Sequence, residues 1–325
     1  MRILLIRPGA LGDVVLTLPA VQALEQQTAE ACVEMVGNDA AVRLLCGRSA
    51  VRAVWSFDAL DVGLFHASVE PAEDTAKWLG EYDLIVNYGA ADSAFAQNLS
   101  RLGRGRVFHC ETRPGPGIPM HMSEWLQQPM LSLGLALCTD APRLRLIQED
   151  QSQAASWREE RGLRNGRAVA LHPGSGSAGK NWPADRFAAV ASCLAAANYQ
   201  VVLVRGPADA MSARAVQRAM GAVPSTLASD LPLPILAAVL ERCAAYIGND
   251  SGISHLAAAV GLPVVAIFGP TDPKVWAPRG QAVKVVRGNN IKGGQGQELS
   301  DYDIKTVTLD AVIEAVQEVS GLPVA

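Results

Sequence analysis

The stretch Ala245-Tyr-Ile-Gly-Asn-Asp-Ser-Gly-Ile-Ser-His-Leu-Ala-Ala-Ala-Val-Gly-Leu-Pro-Val-Val-Ala-Ile-Phe-Gly-Pro-Thr-Asp-Pro273 contains the outline of a complete β-α-β unit. Ala244–Ile247 reads as a buried strand, Gly252–Val260 as a helix of small residues, and Val264–Phe268 as a second strand. Two strands joined through a helix run parallel, which points to an α/β sheet covered by helices. Ligands of such sheets bind beyond the carboxyl ends of the strands. The polar turns Asn249–Gly252 and Gly269–Pro273 occupy that position here.

The same alternation extends through the chain. Strands are expected at Ile3–Ile6, Val33–Val36, Val51–Trp55, Leu84–Val86 and Arg106–Phe108, with helices at 11–26 and 122–135. The Pro- and Gly-rich run 112–119 must be a loop. A polar, helix-prone region at 139–166 reads as a hinge. Beyond it, strands at Ala168–Leu171, Val201–Val204 and Val283–Val286 join the two already named. Further helices fit 184–197, 208–220, 233–242 and 309–319. The economical architecture is two parallel-sheet domains, 1–155 and 156–325, facing a central cleft.

Composition narrows the class. Of 325 residues 49% are apolar and 18% charged, as in a globular protein with substantial buried surface. A net charge of -4 without long basic runs argues against a nucleic-acid partner. Residues 1–150 hold 12 Lys and Arg against 18 Asp and Glu, leaving 16 against 14 of the totals 28 and 32. The second half is therefore the more hospitable to an anion. Six scattered cysteines without a Cys-x-x-Cys pair read as buried free thiols of a reducing compartment. No run has the length of a signal peptide or a membrane span, so a cytoplasmic location is expected, with peripheral membrane contact left open.

Four strand-to-helix turns carry the candidate chemistry. In Arg7-Pro-Gly-Ala-Leu-Gly-Asp13 the glycines, Gly12 among them, let backbone approach a ligand. Asp13 at the helix start is either a structural cap or a reacting carboxylate. The glycine spacing is not that of a dinucleotide fold. In His172-Pro-Gly-Ser-Gly-Ser-Ala-Gly-Lys180, Ser175, Ser177 and Lys180 offer donors and a point charge to a phosphate; the alternative is a solvated surface loop. His172, at a strand end beside Pro173, is placed to orient that loop. At Asp250-Ser251-Gly252 a helix start can receive a diphosphate, unless Asp250 or Ser251 simply caps it. His255 divides evenly between a binding and a packing role. Asp209, after Arg205-Gly-Pro-Ala, is either a helix-start residue or a partner for ribose hydroxyls.

Arg101, Arg104, Arg106 and Arg113 form a basic cluster that reads first as a solvated face and second as a grip on an acidic acceptor. The five histidines are dispersed and no carboxylate pair suits Mg²⁺, so no metal is expected.

Taken together, the Arg7–Asp13 turn, the Ser/Gly loop ending Lys180-Asn-Trp-Pro183, and Gly248-Asn-Asp-Ser-Gly-Ile-Ser-His255 with Phe268-Gly-Pro-Thr-Asp-Pro273 resemble the ADP-heptose:lipopolysaccharide heptosyltransferase family. The likeness runs over nearly the whole chain. It implies a GT-B fold of two Rossmann-like domains, the first binding the acceptor and the second the nucleotide-sugar. A final helix in 309–319 is expected to cross back to the first domain. The resemblance also implies inverting heptose transfer without a metal or resident cofactor, ADP-heptose being a substrate and the inner core of lipopolysaccharide the acceptor. Asp13 is then the base. Lys180 stabilises the departing diphosphate with the Ser251-Gly252 helix start, and Gly12, Ser175, Ser177, Asp209, Asp250 and His255 complete the donor site. Asp209 stands near where many members carry a longer glutamate for the ribose. Competing readings are a transferase of another nucleotide-sugar or surface glycan, a nucleotide-sugar epimerase, and a non-catalytic nucleotide-binding protein.

Overall fold

The computed structural model describes residues 1–28, 30–115, 117–291 and 301–324. Pro116, within the expected 112–119 loop, lies outside them. The chain divides into two compact units, Met1–Arg145 and Leu146–Ala325. This division falls ahead of the expected 155/156 boundary. The helix Gln148–Glu159 packs Ala154 and Trp157 against Ile235, Ala238 and Val239 of the helix Leu233–Glu241, so it belongs to the second unit.

The first unit is built on five parallel strands: β1 (Arg2–Arg7), β2 (Cys32–Gly37), β3 (Val51–Ser56), β4 (Leu84–Tyr88) and β5 (Arg106–Cys110). Their order is β3-β2-β1-β4-β5. β1 is the central strand, and Ile3–Ile6 are fully enclosed because both faces of a parallel sheet are covered. Two helices expected as single segments are each split. Leu11–Val15 is separated from Leu18–Gln27, and Met122–Trp125 from Gln128–Ser132. In both cases a proline, Pro19 or Pro129, opens the second piece. Proline has no N–H and its ring collides with the carbonyl four residues earlier, so one helix ends and another begins.

On the outer part of this sheet Glu34 of β2 is a buried acceptor hub. Arg2 Nη2 donates to it at 2.8 Å, Trp55 Nε1 at 3.0 Å and Tyr82 Oη at 2.8 Å. Burial alone pushes its carboxyl up, but the three donors outweigh that and hold it below the ordinary glutamate range. Its stabilising contribution is therefore complete above that range and lost as the pH falls through the lowered folded-state value. Glu34→Gln is expected to destabilise the protein by about 2 kcal/mol at neutral pH. Urea melts of both proteins at neutral and acid pH should show the gap closing in acid.

The second unit carries six parallel strands: β6 (Ala168–His172), β7 (Gln200–Arg205), β8 (Ser225–Ser229), β9 (Ala245–Asn249), β10 (Val264–Phe268) and β11 (Val283–Arg287). The order β11-β10-β9-β6-β7-β8 is the doubly wound arrangement, with its switch point between β6 and β9. The final helix, Leu309–Ser320, packs onto the second sheet. Its apolar stripe of Val312, Ile313, Ala315 and Val316 is committed to the second unit's core, with Val265 and Ile267 of β10. The six cysteines are unpaired, and Cys110, Cys138 and Cys243 are buried.

Candidate functional site

The second unit's turns converge at the carboxyl ends of β6, β7 and β9. The loop after β6 is anchored at its base by Asn249, which is completely buried at the end of β9. Asn249 Nδ2 donates to the Pro173 carbonyl at 2.8 Å, and its Oδ1 accepts from the Trp182 N–H at 3.1 Å. Ser175 Oγ lies 2.7 Å from both the Ser177 carbonyl and Asn181 Oδ1, so its hydroxyl shapes the loop.

That anchoring delivers Lys180 across the switch point. Its Nζ donates to Asp250 Oδ2 at 2.8 Å. Asp250 is therefore an ion-pair partner and not a cap. Ser251 occupies the N-cap position of the Gly252–Ala259 helix in extended backbone, yet its hydroxyl makes no cap bond. It lies 3.1 Å from His172 Nδ1. The first turn of that helix is left without a side-chain cap, and its dipole presents a positive end beside the lysine. An ammonium beside a helix start is an arrangement able to receive a diphosphate. His255, one turn further on, is buried.

Asp209 follows β7 but does not point outward for a ribose. Its Oδ2 lies 3.0 Å from His172 Nε2 and accepts from the Gly206 N–H at 3.1 Å. The His172 hydrogen bond overcomes burial and holds the carboxyl below the ordinary aspartate range. Gly174 makes room for it, since a Cβ there would sit 2.1 Å from Asp209 Oδ1. His172, singled out in the sequence only as a loop-orienting residue, thus joins three strand ends.

In the first unit Asp13 lies in the short helix Leu11–Val15 that follows β1. It is three residues past the N-cap position, which Ala10 holds, and its Oδ2 accepts from the Ala10 N–H at 3.0 Å. Its Oδ1 accepts from Arg7 Nη2 at 2.7 Å. The Arg7 side chain is 2% exposed while that of Asp13 is 27% exposed, so a buried cation holds a carboxylate that still reaches solvent. Burial pushes the Arg7 guanidinium down, with Asp13 opposing. Gly9 permits this arrangement, because a Cβ there would come within 2.8 Å of the Asp13 side chain. Gly12 lies in the same short helix.

The basic cluster is not brought to Asp13. Arg106 begins β5, in register with Leu84, which in turn pairs with Ile3 at the start of β1. Arg101 and Arg104 precede that strand start, so all three lie at the opposite edge of the sheet from the β1–helix turn. Arg101 is paired with Glu70 at 2.7 Å, and Arg106 lies over the Phe108 ring. Among the cluster only Arg113 follows the carboxyl end of β5. Among the described residues, no group of three or more His, Cys, Asp or Glu is arranged to hold a metal.

Residues 115–302 match the model of glycosyltransferase family 9, described as heptosyltransferase. The chain is 25% identical over 350 residues to the lipooligosaccharide heptosyltransferase 2 of Haemophilus influenzae, covering 98% of this chain and 99% of that protein. It is 25% identical over 284 residues to the lipopolysaccharide heptosyltransferase 3 of Escherichia coli K12, covering 82% of each. Among solved structures, the E. coli ADP-heptose lipopolysaccharide heptosyltransferase II superposes with a TM-score of 0.76 at 20% identity, covering 98% of both chains. That likeness establishes the GT-B fold.

Proposed function

The chain belongs to glycosyltransferase family 9, the heptosyltransferases, and on that footing we propose that it moves a heptose from ADP-heptose to the inner core of lipopolysaccharide. Transfer is inverting and needs no metal in this reading. The names of the relatives support the sugar and the acceptor. The observation that carries it is the Lys180–Asp250 pair set beside the uncapped start of the Gly252–Ala259 helix.

The diphosphate docks at that helix start, against the N–H groups of Gly252 and Ile253, the Ser251 hydroxyl and Lys180. Ser175 and Ser177 hold the loop that presents the lysine, and Asp250 fixes its ammonium. His255, one turn into the same helix, completes the donor half-site. Asp209 acts through His172 and not on the ribose, as its inward carboxylate indicates. An acceptor hydroxyl attacks the anomeric carbon while the carbon–oxygen bond to ADP breaks on the opposite face, and ADP leaves with the electron pair. Cations waiting where that charge develops lower the barrier.

The acceptor's proton goes to Asp13. Two carboxylates of the donor half-site are otherwise committed, Asp250, 9% exposed, to Lys180 and Asp209, 11% exposed, to His172, and Asp272 caps the helix Pro273–Trp276. Asp13, in the other unit, keeps the more accessible carboxylate. The Arg101, Arg104 and Arg106 edge supports no acceptor contact near it. No helix among the described residues is long and apolar enough to cross a membrane. Action at the cytoplasmic face of the inner membrane, where the acceptor is anchored, accords with that.

The test is a thermal-shift panel of ADP-, UDP- and GDP-sugars, followed by transfer assays. A donor at 100 times its Kd stabilises by about 2.7 kcal/mol, a rise of about 5–11 °C for units of this size. ADP-heptose should give that rise and donate its sugar to a lipopolysaccharide-core acceptor. A rise with only UDP- or GDP-sugars, or with none, would overturn the reading.

A further inference from the structure

The line Ser251–His172–Asp209 goes beyond a list of donor contacts, because its hydrogen atoms are distributed in one of two ways. Asp209 is held in its charged form, so Oδ2 only accepts, and His172 Nε2 must carry a hydrogen. In neutral His172 the other nitrogen, Nδ1, is then bare, and it accepts from the Ser251 hydroxyl 3.1 Å away. That arrangement turns the single Ser251 hydrogen inward. In protonated His172 the direction reverses: Nδ1–H donates to Ser251 Oγ, and the serine hydrogen is released from the imidazole to turn to Ser254 Oγ, 3.3 Å away, or to a ligand. The imidazole side chain is 2% exposed, so it meets solvent only through these partners.

We propose that His172 is a positioning residue that takes up one proton when the donor's diphosphate docks, reversing the Ser251 hydroxyl so that it donates to a phosphate oxygen. The inference rests on the reading that the diphosphate sits at the Gly252–Ala259 helix start. The proton comes from solvent, the Asp209 carboxylate remains its counter-charge, and no covalent bond of the protein changes. An anion at Ser251 favours the cationic imidazole by simple Coulomb attraction.

The surrounding groups allow this titration to be isolated. Tyr246 of β9 donates towards Ser254 at 3.0 Å, and burial pushes its hydroxyl far up, so it stays protonated. Ser254 lies 3.3 Å from Ser251 and donates to the Asn249 carbonyl at 2.6 Å, so its own hydrogen is committed. The Lys180–Asp250 pair flanks Ser251, Arg205 is paired with Asp230 at the end of β7, and His255 lies one turn along the helix. Among these, His255 is the other imidazole, so uptake that survives in His172→Gln would point to it.

Calorimetry of ADP-heptose binding to the full chain, in PIPES and in Tris at one pH near neutrality, reads the proton directly. The sugar diphosphate is a diester without an ionisation of its own there. The observed heat should differ between buffers by the uptake of up to about one proton, and affinity should fall by up to about tenfold per pH unit on the alkaline side. His172→Gln and Asp209→Asn should still bind but with heats independent of buffer. Melting curves verify that each variant is folded. Buffer-independent binding by the unmodified protein, or uptake surviving in His172→Gln, would overturn the role of His172. Absence of any binding heat in the unmodified protein would overturn the donor reading beneath it.

Discussion

Asp13→Asn is expected to reduce kcat by about 10²–10⁴-fold, the range for loss of a general base, while ADP-heptose binds with nearly unchanged affinity. The asparagine has the same shape and its one amide oxygen can still accept from the Ala10 N–H, while its NH2 then faces Arg7 and cannot accept from it. What disappears is a carboxylate able to take the acceptor's proton. The substitution also leaves the buried Arg7 guanidinium without its counter-charge, which lowers stability by an amount a melting curve measures. Kinetics below the variant's melting range then separate the two effects. Transfer at the normal rate would exclude Asp13 as the base. A loss of donor affinity as large as the loss of kcat would make it a binding residue instead.

Lys180→Ala is expected to weaken ADP-heptose binding by about 10–100-fold and to slow transfer as well, since a charge-assisted hydrogen bond is worth about 1.5–3 kcal/mol. The effect has two parts. The diphosphate loses a cation, and the nearly buried Asp250 loses its partner and becomes a bare negative charge next to the same helix start. Double substitution with Asp250→Asn separates them: it should recover the repulsive part of the affinity and none of the attractive part. Because charge on the leaving group grows during bond cleavage, kcat should fall in addition to affinity. Donor binding unaffected by loss of Lys180 would place the diphosphate elsewhere.

Sequence and structure part company most instructively at the edges of the pattern. The buried strands of both sheets were legible as short apolar runs between turns, because a parallel sheet covered on both faces demands them. β8 escaped that reading. Its residues, Ser225-Thr-Leu-Ala-Ser229, form the edge of the second sheet, where one neighbour suffices and no apolar run is required. The two split helices were legible only as continuous periodicity, although Pro19 and Pro129 stood in view. The final helix shows amphipathic spacing whichever surface it covers, so its true partner, the second unit's own core, could not be read from it.

By itself the sequence determined the class of the protein: alternating strands and helices, glycine- and serine-bearing turns at the strand ends, and the motifs that place it with the heptosyltransferases. Those are local properties, written within a few residues of one another. The tertiary structure decided how the polar residues are used. It paired Lys180 with Asp250, turned Asp209 inward to His172, took Ser251 off cap duty, and set Arg106 at the edge of the sheet opposite Asp13. Each of these depends on residues 37 to 79 positions apart, or on strand direction. No local spacing encodes which of several partners a charged side chain meets, because strand order alone brings them within hydrogen-bonding distance. Asp13 illustrates the division. The sequence placed it at a helix start, where a cap and a base look alike, and only the fold showed that Ala10 holds the cap position and that a buried arginine grips one carboxylate oxygen.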